Sequence, residues 1–287
     1  MNLSDLIALR KPGRKIEGHA AILLPFEADG SIAEKAYKDA LLRTHDAGLG
    51  CAVNMDTGYA NYLTPDERAT MLRWAQDTLP DGYIAGVFVE GLEGDLTDLY
   101  LTQMRQIADH GGTPILFQTT RFHDWSPQQI IDLYATICQP FDAAYGFELG
   151  RMFAPNGMIY DEETIRGLIQ IPALKGIKHS SLDRLQEIER LKIRDQLRPD
   201  FKIFTGNDLG IDMIEYGSDY LLGLAAFCPE KFAQRDHYWE TSNPAYYELN
   251  DALQYLGNIA FRAPVPAYKH SCAVFQHRLN RIPTPPP

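Results

Sequence analysis

The chain has 287 residues, 45% hydrophobic and 23% charged, ordinary proportions for a globular protein with room for a large core. Its formal charge of −11 argues against nucleic-acid or anionic-membrane partners, which require a basic face that no run of Lys and Arg supplies. Cys51, Cys138, Cys228 and Cys272 are widely spaced with no CxxC pair, so neither a zinc ligand set nor a small disulfide framework is indicated.

The N-terminal segment MNLSDLIALRKPGRK lacks the apolar core of a signal peptide, and no stretch approaches membrane-spanning length. The expected location is the cytoplasm. Candidate strands then begin near Ala20, Cys51, Tyr83, Pro114, Ala143, Leu174, Phe201 and Tyr220, at intervals of about thirty residues for most of the chain, with helical spacing between them. Such alternation predicts parallel strands joined by helices, and eight of them predict a (β/α)8 TIM barrel over residues 1–229.

Helix starts are legible along the way. Thr64-Pro65-Asp66-Glu67 and Ser126-Pro127-Gln128-Gln129 each offer a capping hydroxyl, a proline at the first helical position and an acid or amide three residues after the cap. DLTDLYLTQMRQIADHGG runs from an acidic first turn to a glycine stop, as a crossover helix should. Beyond the eighth strand, residues 230–287 read as a C-terminal helical extension ending in IPTPPP.

LKGIKHSS places Lys178 at the end of the sixth strand, at the mouth where barrel chemistry is built. A lysine there suits Schiff-base formation: its amine attacks a carbonyl only as the free base, and the resulting protonated imine withdraws electrons from the adjacent carbon. The absence of HxH, HExxH or a carboxylate cluster predicts no metal, and the absence of GxGxxG after the first strand predicts no nicotinamide cofactor.

In this order the segments GHAAILLPFEADGSI, AGLGCAVNMDTGYANYLTPDERATML, PNGMIYDEETIRGLIQIPALKGIKHSS, TGND and VPAYKHSCAVFQHRLNRIPTPPP resemble the dihydrodipicolinate synthase / N-acetylneuraminate lyase family of class I aldolases over nearly the whole chain. The resemblance implies a TIM barrel with a helical extension, no cofactor, a homodimer or homotetramer, a small-molecule carbonyl substrate, and Lys178 as the imine-forming residue. It also implies that Thr57, with neighbouring backbone N–H groups such as that of Gly58, holds a substrate carboxylate.

Three departures qualify it. The family's Thr-Thr-Gly-Glu is here Asp56-Thr57-Gly58-Tyr59, so Asp56 replaces the threonine that relays protons. The relay tyrosine at the end of the fifth strand is missing; ungapped alignment puts Gly150 there, and two inserted residues would put Glu148 there. The fourth strand offers Gln118, Thr119, Thr120 and Arg121 where many members have a second tyrosine.

The expected enzyme is therefore an aldolase or dehydratase acting on a 2-keto acid or keto-sugar-type compound. Glu148 and Asp56 take over proton transfer, Arg121 or Arg151 holds a carboxylate, and Asn207 lines the mouth. Two alternatives stay open: Glu148 as a member of a buried ion pair with Arg121 or Arg151, and the whole barrel as a non-catalytic binder of a small carbonyl or sugar ligand in a regulatory role. By strand alternation His179 should point away from the barrel axis.

Overall fold

A computed structural model of the chain describes residues 3–285. Eight strands close into a parallel barrel in chain order: β1 (Gly18–Ala21), β2 (Gly50–Val53), β3 (Tyr83–Val87), β4 (Gly112–Leu116), β5 (Ala144–Leu149), β6 (Leu174–Ser180), β7 (Lys202–Thr205) and β8 (Asp219–Leu222). The helices are α1 (Leu3–Ala8), α2 (Glu34–Asp46), α3 (Pro65–Thr78), α4 (Leu96–Asp109), α5 (Pro127–Cys138), α6 (Glu162–Ile169), α7 (Arg184–Leu197), α8 (Pro229–Glu240), α9 (Ala245–Ala260) and α10 (Tyr268–Arg278). Each strand read from the sequence is present within two residues of its expected start, and the fold is a (β/α)8 barrel with a helical extension.

Local chemistry accounts for the helix starts. Thr64 and Ser126 both form complete capping boxes, with the Glu67 and Gln129 side chains accepting the cap residues' backbone N–H groups. Asp95 caps α4 by accepting from the Asp98 N–H. These caps satisfy amide donors that a helix start would otherwise leave unpaired.

Alternation along the strands divides the core. Inside the barrel lie Ala21, Ala52, Ile84, Ile115, Phe147, Leu149, Phe204 and Leu221, packed as layers. Outside it, Val53, Leu116, Ile177 and Ile203 meet the helices through Leu72, Met104, Ile137 and Leu168. Within the β5–β6 pair, Phe147 is opposite Lys178 and Glu148 is opposite His179. That register decides which of these four residues face the axis.

The chain continues from β8 into α8, which packs against β1 and α2 and closes the helical ring. The boundary drawn at residue 229 thus falls at the start of α8, and α9 and α10 are the elements beyond the ring. Their apolar side chains Tyr246, Leu253, Phe261 and Tyr268 form one cluster with Leu222, Leu224 and Phe227 at the end of β8. The Gln276 amide fixes α10 there by donating to the Ala226 and Phe227 carbonyls at 2.7 and 2.9 Å. Among the described residues no helix is long and apolar enough to cross a membrane. The last two prolines of the IPTPPP tail lie outside the described residues.

Candidate active site

Lys178 points from β6 toward the barrel axis and is only 9% exposed. Its Nζ lies 4.2 Å from the centroid of the Phe147 ring on the neighbouring strand, a face that attracts a cation. Gly206, just after β7, lets the lysine stem pass: a Cβ there would stand 2.8 Å from Lys178 Cε and 1.9 Å from the Ser180 hydroxyl. Burial lowers the Lys178 pKa to about 8, against the opposing pull of Asp208 and Asp56. A useful fraction of free amine is therefore present near neutral pH.

Asp208 is the buried acid nearest in effect to that amine. Burial pushes its carboxyl up to about 7, while the Leu224 N–H it accepts at 2.8 Å and the Lys178 charge hold it down. Lysine and acid each titrate far from their ordinary ranges and close to one another, a pattern that clusters at functional sites.

Asp56 and Thr57 sit on the short turn that follows β2. Asp56 Oδ1 is 3.0 Å from the Lys269 ammonium and Oδ2 is 3.4 Å from the Tyr268 hydroxyl. Thr57, itself buried, shares a 2.7 Å hydrogen bond with the same Tyr268 hydroxyl. Both partners come from the start of α10. A cavity of about 420 Å³ opens above, walled by Asp56, Phe88, Glu90, Phe117, Leu149 and Lys269. Phe117 meets Phe147 edge to face at 4.9 Å, so the aromatic wall of the cavity continues to the ring beneath the Lys178 amine.

The remaining expected site residues are placed differently. Glu148 does not enter the mouth: it alternates outward from β5 and is fully buried between barrel and helices. There it meets His179 Nδ1 at 2.5 Å and Arg190 Nε at 3.0 Å, and accepts the Tyr160 N–H at 3.0 Å. Burial alone would raise its pKa, but the His179 and Arg190 charges outweigh that and hold it near 2. A carboxylate so placed cannot serve as a base for a group on Lys178, and its ion-pair partner is Arg190, not Arg121 or Arg151.

Arg121 donates to the Leu92 and Gly94 carbonyls at 2.6 and 2.9 Å, bracing the loop after β3, and Arg151 stands exposed on the turn after β5. Neither lines the cavity, nor do Lys178, Thr57 or Tyr268, which the cavity reaches through Asp56, Lys269 and the Phe117 ring. The Gly58 N–H is committed to the Met55 carbonyl at 3.0 Å and is not free for a substrate carboxylate. A Cβ at Gly58 would stand 3.1 Å from the Ile22 carbonyl oxygen, a tight contact. Asn207 is buried and folds its own loop, accepting the Leu209 N–H at 3.1 Å. His179 turns away from the axis as alternation requires, and Tyr145 packs on Phe204 at the opposite end of the barrel.

Sequence reasoning missed Tyr268, Lys269 and Phe147. The first two lie in VPAYKHSC, legible as a helix start but with nothing local to connect them to Thr57, 211 residues away. Phe147 could have been found by alternation, given the pairing of β5 with β6.

A 4-hydroxy-tetrahydrodipicolinate synthase of Kosmotoga olearia is 25% identical to the chain over 192 residues, covering 66% of this chain and 63% of that protein. The chain is a divergent relative of the dihydrodipicolinate synthases. No family model matches it. In fold it is similar to a monomeric dihydrodipicolinate synthase variant, with a TM-score of 0.80 at 16% identity over 93% of this chain and 88% of that one. A prophage protein of the dihydrodipicolinic acid synthase family from E. coli K12, solved with pyruvate, gives 0.80 at 14% identity, covering 92% and 89%. The chloride-inhibited synthase of Acinetobacter baumannii, also with pyruvate, gives 0.77 at 17%, covering 96% and 92%.

Proposed function

We propose that this relative of the dihydrodipicolinate synthases is a Schiff-base-dependent lyase of the aldolase or dehydratase kind, acting on a 2-keto acid or keto-sugar-type carbonyl compound. The observation that carries the proposal is Lys178: an amine buried at the C-terminal mouth of a barrel, with its pKa lowered to about 8. Desolvating an amine costs stability, and a barrel that only bound a ligand would have no need to bear that cost. That two structural neighbours were solved with pyruvate supports a 2-keto acid.

In this reading the free Lys178 amine attacks the substrate carbonyl, water leaves, and a protonated imine forms. The face of Phe147 and the charges of Asp208 and Asp56 favour that cation. The imine then accepts the electron pair of a breaking bond at the neighbouring carbon. Lys269, a cavity-wall cation paired with Asp56, takes the substrate carboxylate, the part expected of Thr57 and of Arg121 or Arg151. Asp56 and Glu90 on the same wall suit hydroxyl groups better than a second anion.

The test is borohydride trapping with a panel of 2-keto acids and keto-sugars, read by intact mass and peptide mapping. The expected result is one stable adduct on Lys178 and none in Lys178→Ala. A panel that adds no mass, or an adduct that persists in the variant, overturns the proposal.

A further inference from the structure

We infer that Tyr268 completes the proton path of this site from the C-terminal helix of the same chain, replacing the tyrosines missing from β4 and β5. The inference rests on the Schiff-base reading above and adds to it the route by which protons reach the reacting carbonyl.

At the end of β4 the Thr120 hydroxyl donates to Glu90 at 2.7 Å and the Thr119 hydroxyl accepts the Arg121 N–H at 3.4 Å. The Gln118 amide is spent on the Leu149 N–H at 3.1 Å and on the Met158 N–H and carbonyl at 3.0 and 2.6 Å. Tyr160 is turned outward, its hydroxyl 3.1 Å from that of Tyr134 on α5. Tyr268 arrives instead from the opposite side. It is buried, its ring stacks on Phe261 with centroids 4.2 Å apart, and Gly223 after β8 makes room for it. A Cβ at Gly223 would stand 2.7 Å from the Tyr268 ring. With the ring held so, the hydroxyl is fixed between Thr57 Oγ1 at 2.7 Å and Asp56 Oδ2 at 3.4 Å. Lys269, the next residue, holds the other oxygen of Asp56 at 3.0 Å, leaving Oδ2 toward Tyr268.

Three oxygens thus stand in a row, from Thr57 through Tyr268 to Asp56, and the charges of Asp56 and Asp208 act on both Tyr268 and Lys178. Burial, with those two carboxylates, raises the Tyr268 pKa well above its ordinary value, so the phenol stays protonated and can pass a proton on without resting as an anion.

The chemistry needs such a row. When the Lys178 nitrogen bonds to the carbonyl carbon, the C=O pair moves to oxygen, leaving nitrogen with one proton too many and oxygen with one too few. Thr57 gives its proton to the oxygen and Tyr268 replaces it. Asp56 takes the surplus proton from nitrogen and returns it to Tyr268, so no net proton is gained. A second passage, drawing one proton from solvent, makes the hydroxyl a leaving water while the nitrogen pair closes the C=N bond.

Because Tyr268 acts through Thr57, it is a positioning residue in the strict sense, and its test must separate relay from packing. Tyr268→Phe keeps the ring, its stack and its fit against Gly223, and removes only the hydroxyl. The rate of adduct formation on Lys178 is measured with borohydride and a 2-keto acid that labels the wild-type chain, together with the final extent of labelling and the pH profile.

We expect labelling of Tyr268→Phe to reach the wild-type extent but at a rate lower by roughly 10²-fold, at the low end for a positioned proton donor. The pH profile should keep its shape. Thr57→Val should slow labelling similarly, and the double variant should be no slower than the worse single one, since both break one chain. A wild-type rate in folded Tyr268→Phe, or losses that multiply in the double variant, overturns the relay while leaving the Schiff base intact. Should Tyr268→Phe fail to fold, a wild-type rate in Thr57→Val overturns the relay equally. A wild-type chain that no carbonyl compound labels overturns both proposals.

Discussion

Strands β5 and β6 carry two buried charged groups back to back, and their fates differ because adjacent residues on a strand face opposite ways. On the inner face Lys178 lies over Phe147, with Asp208 and Asp56 near enough to be felt. On the outer face Glu148 is gripped by His179, Arg190 and the Tyr160 amide, while Arg190 also donates to the Tyr160 carbonyl at 2.6 Å and His179 Nε2 meets Ser181 at 2.6 Å. The inner group has its pKa moved toward neutrality and the outer one away from it. A buried charge whose hydrogen bonds are all satisfied is locked in one protonation state, whereas one left partly unsatisfied is available for chemistry.

The sharpest way to break this comparison is to remove each group in turn. Lys178→Met should abolish adduct formation with every carbonyl compound, the largest effect expected anywhere in the chain. It should leave the melting temperature equal or higher, because a buried amine gives way to an apolar side chain of similar length. A marked loss of stability in Lys178→Met would show that the amine is structural and that the two faces do not differ as described.

Glu148→Gln should do the reverse. Losing the carboxylate leaves Arg190 buried without its counter-charge, at a cost of about 3–5 kcal/mol in denaturant unfolding, while the folded fraction labels at the wild-type rate. The pH dependence carries a sign. Glu148 has its pKa depressed on folding, so its contribution is present above the ordinary carboxylate range and lost as pH falls toward about 2. His179 has its pKa raised, because Glu148 outweighs the lowering by burial. Its contribution is therefore full below the ordinary histidine range and lost as pH rises through the raised value. A stable Glu148→Gln that labels slowly would put Glu148 in the chemistry after all.

The same two strands show what the sequence could disclose. The barrel was legible because each strand carries its own apolar run and several helices their own caps, signals contained within a few residues, as at Thr64 and Ser126. Lys178 was legible because the end of a strand is a local fact. His179 was placed correctly by alternation within β6. Glu148 was not, because its facing depends on how β5 aligns with β6, and a register shift between Ala144 and Tyr145 leaves no trace in composition. Tyr268 and Lys269 were beyond reach for a different reason. Their partners Thr57 and Asp56 lie 211 and 213 residues away, and only barrel closure with α10 docked beside β8 brings them together.

The smallest expected effect tests the inner face most finely. Burial lowers the Lys178 pKa and the Asp208 charge partly restores it, so removing that charge without changing shape should free the amine at lower pH. Asp208→Asn suits the purpose, because an amide oxygen can still accept the Leu224 N–H. In the wild-type chain the labelling rate should rise with pH as Lys178 loses its proton near pH 8. In Asp208→Asn that rise should move to lower pH by a fraction of a unit to about one unit, and the protonated imine, deprived of a counter-charge, should accumulate less at equilibrium. The two changes oppose each other in a single-pH assay, so full rate and yield profiles are needed. A rise that stays in place or moves to higher pH would mean that Lys178 does not sense Asp208, and would leave burial and Asp56 alone to set the free amine.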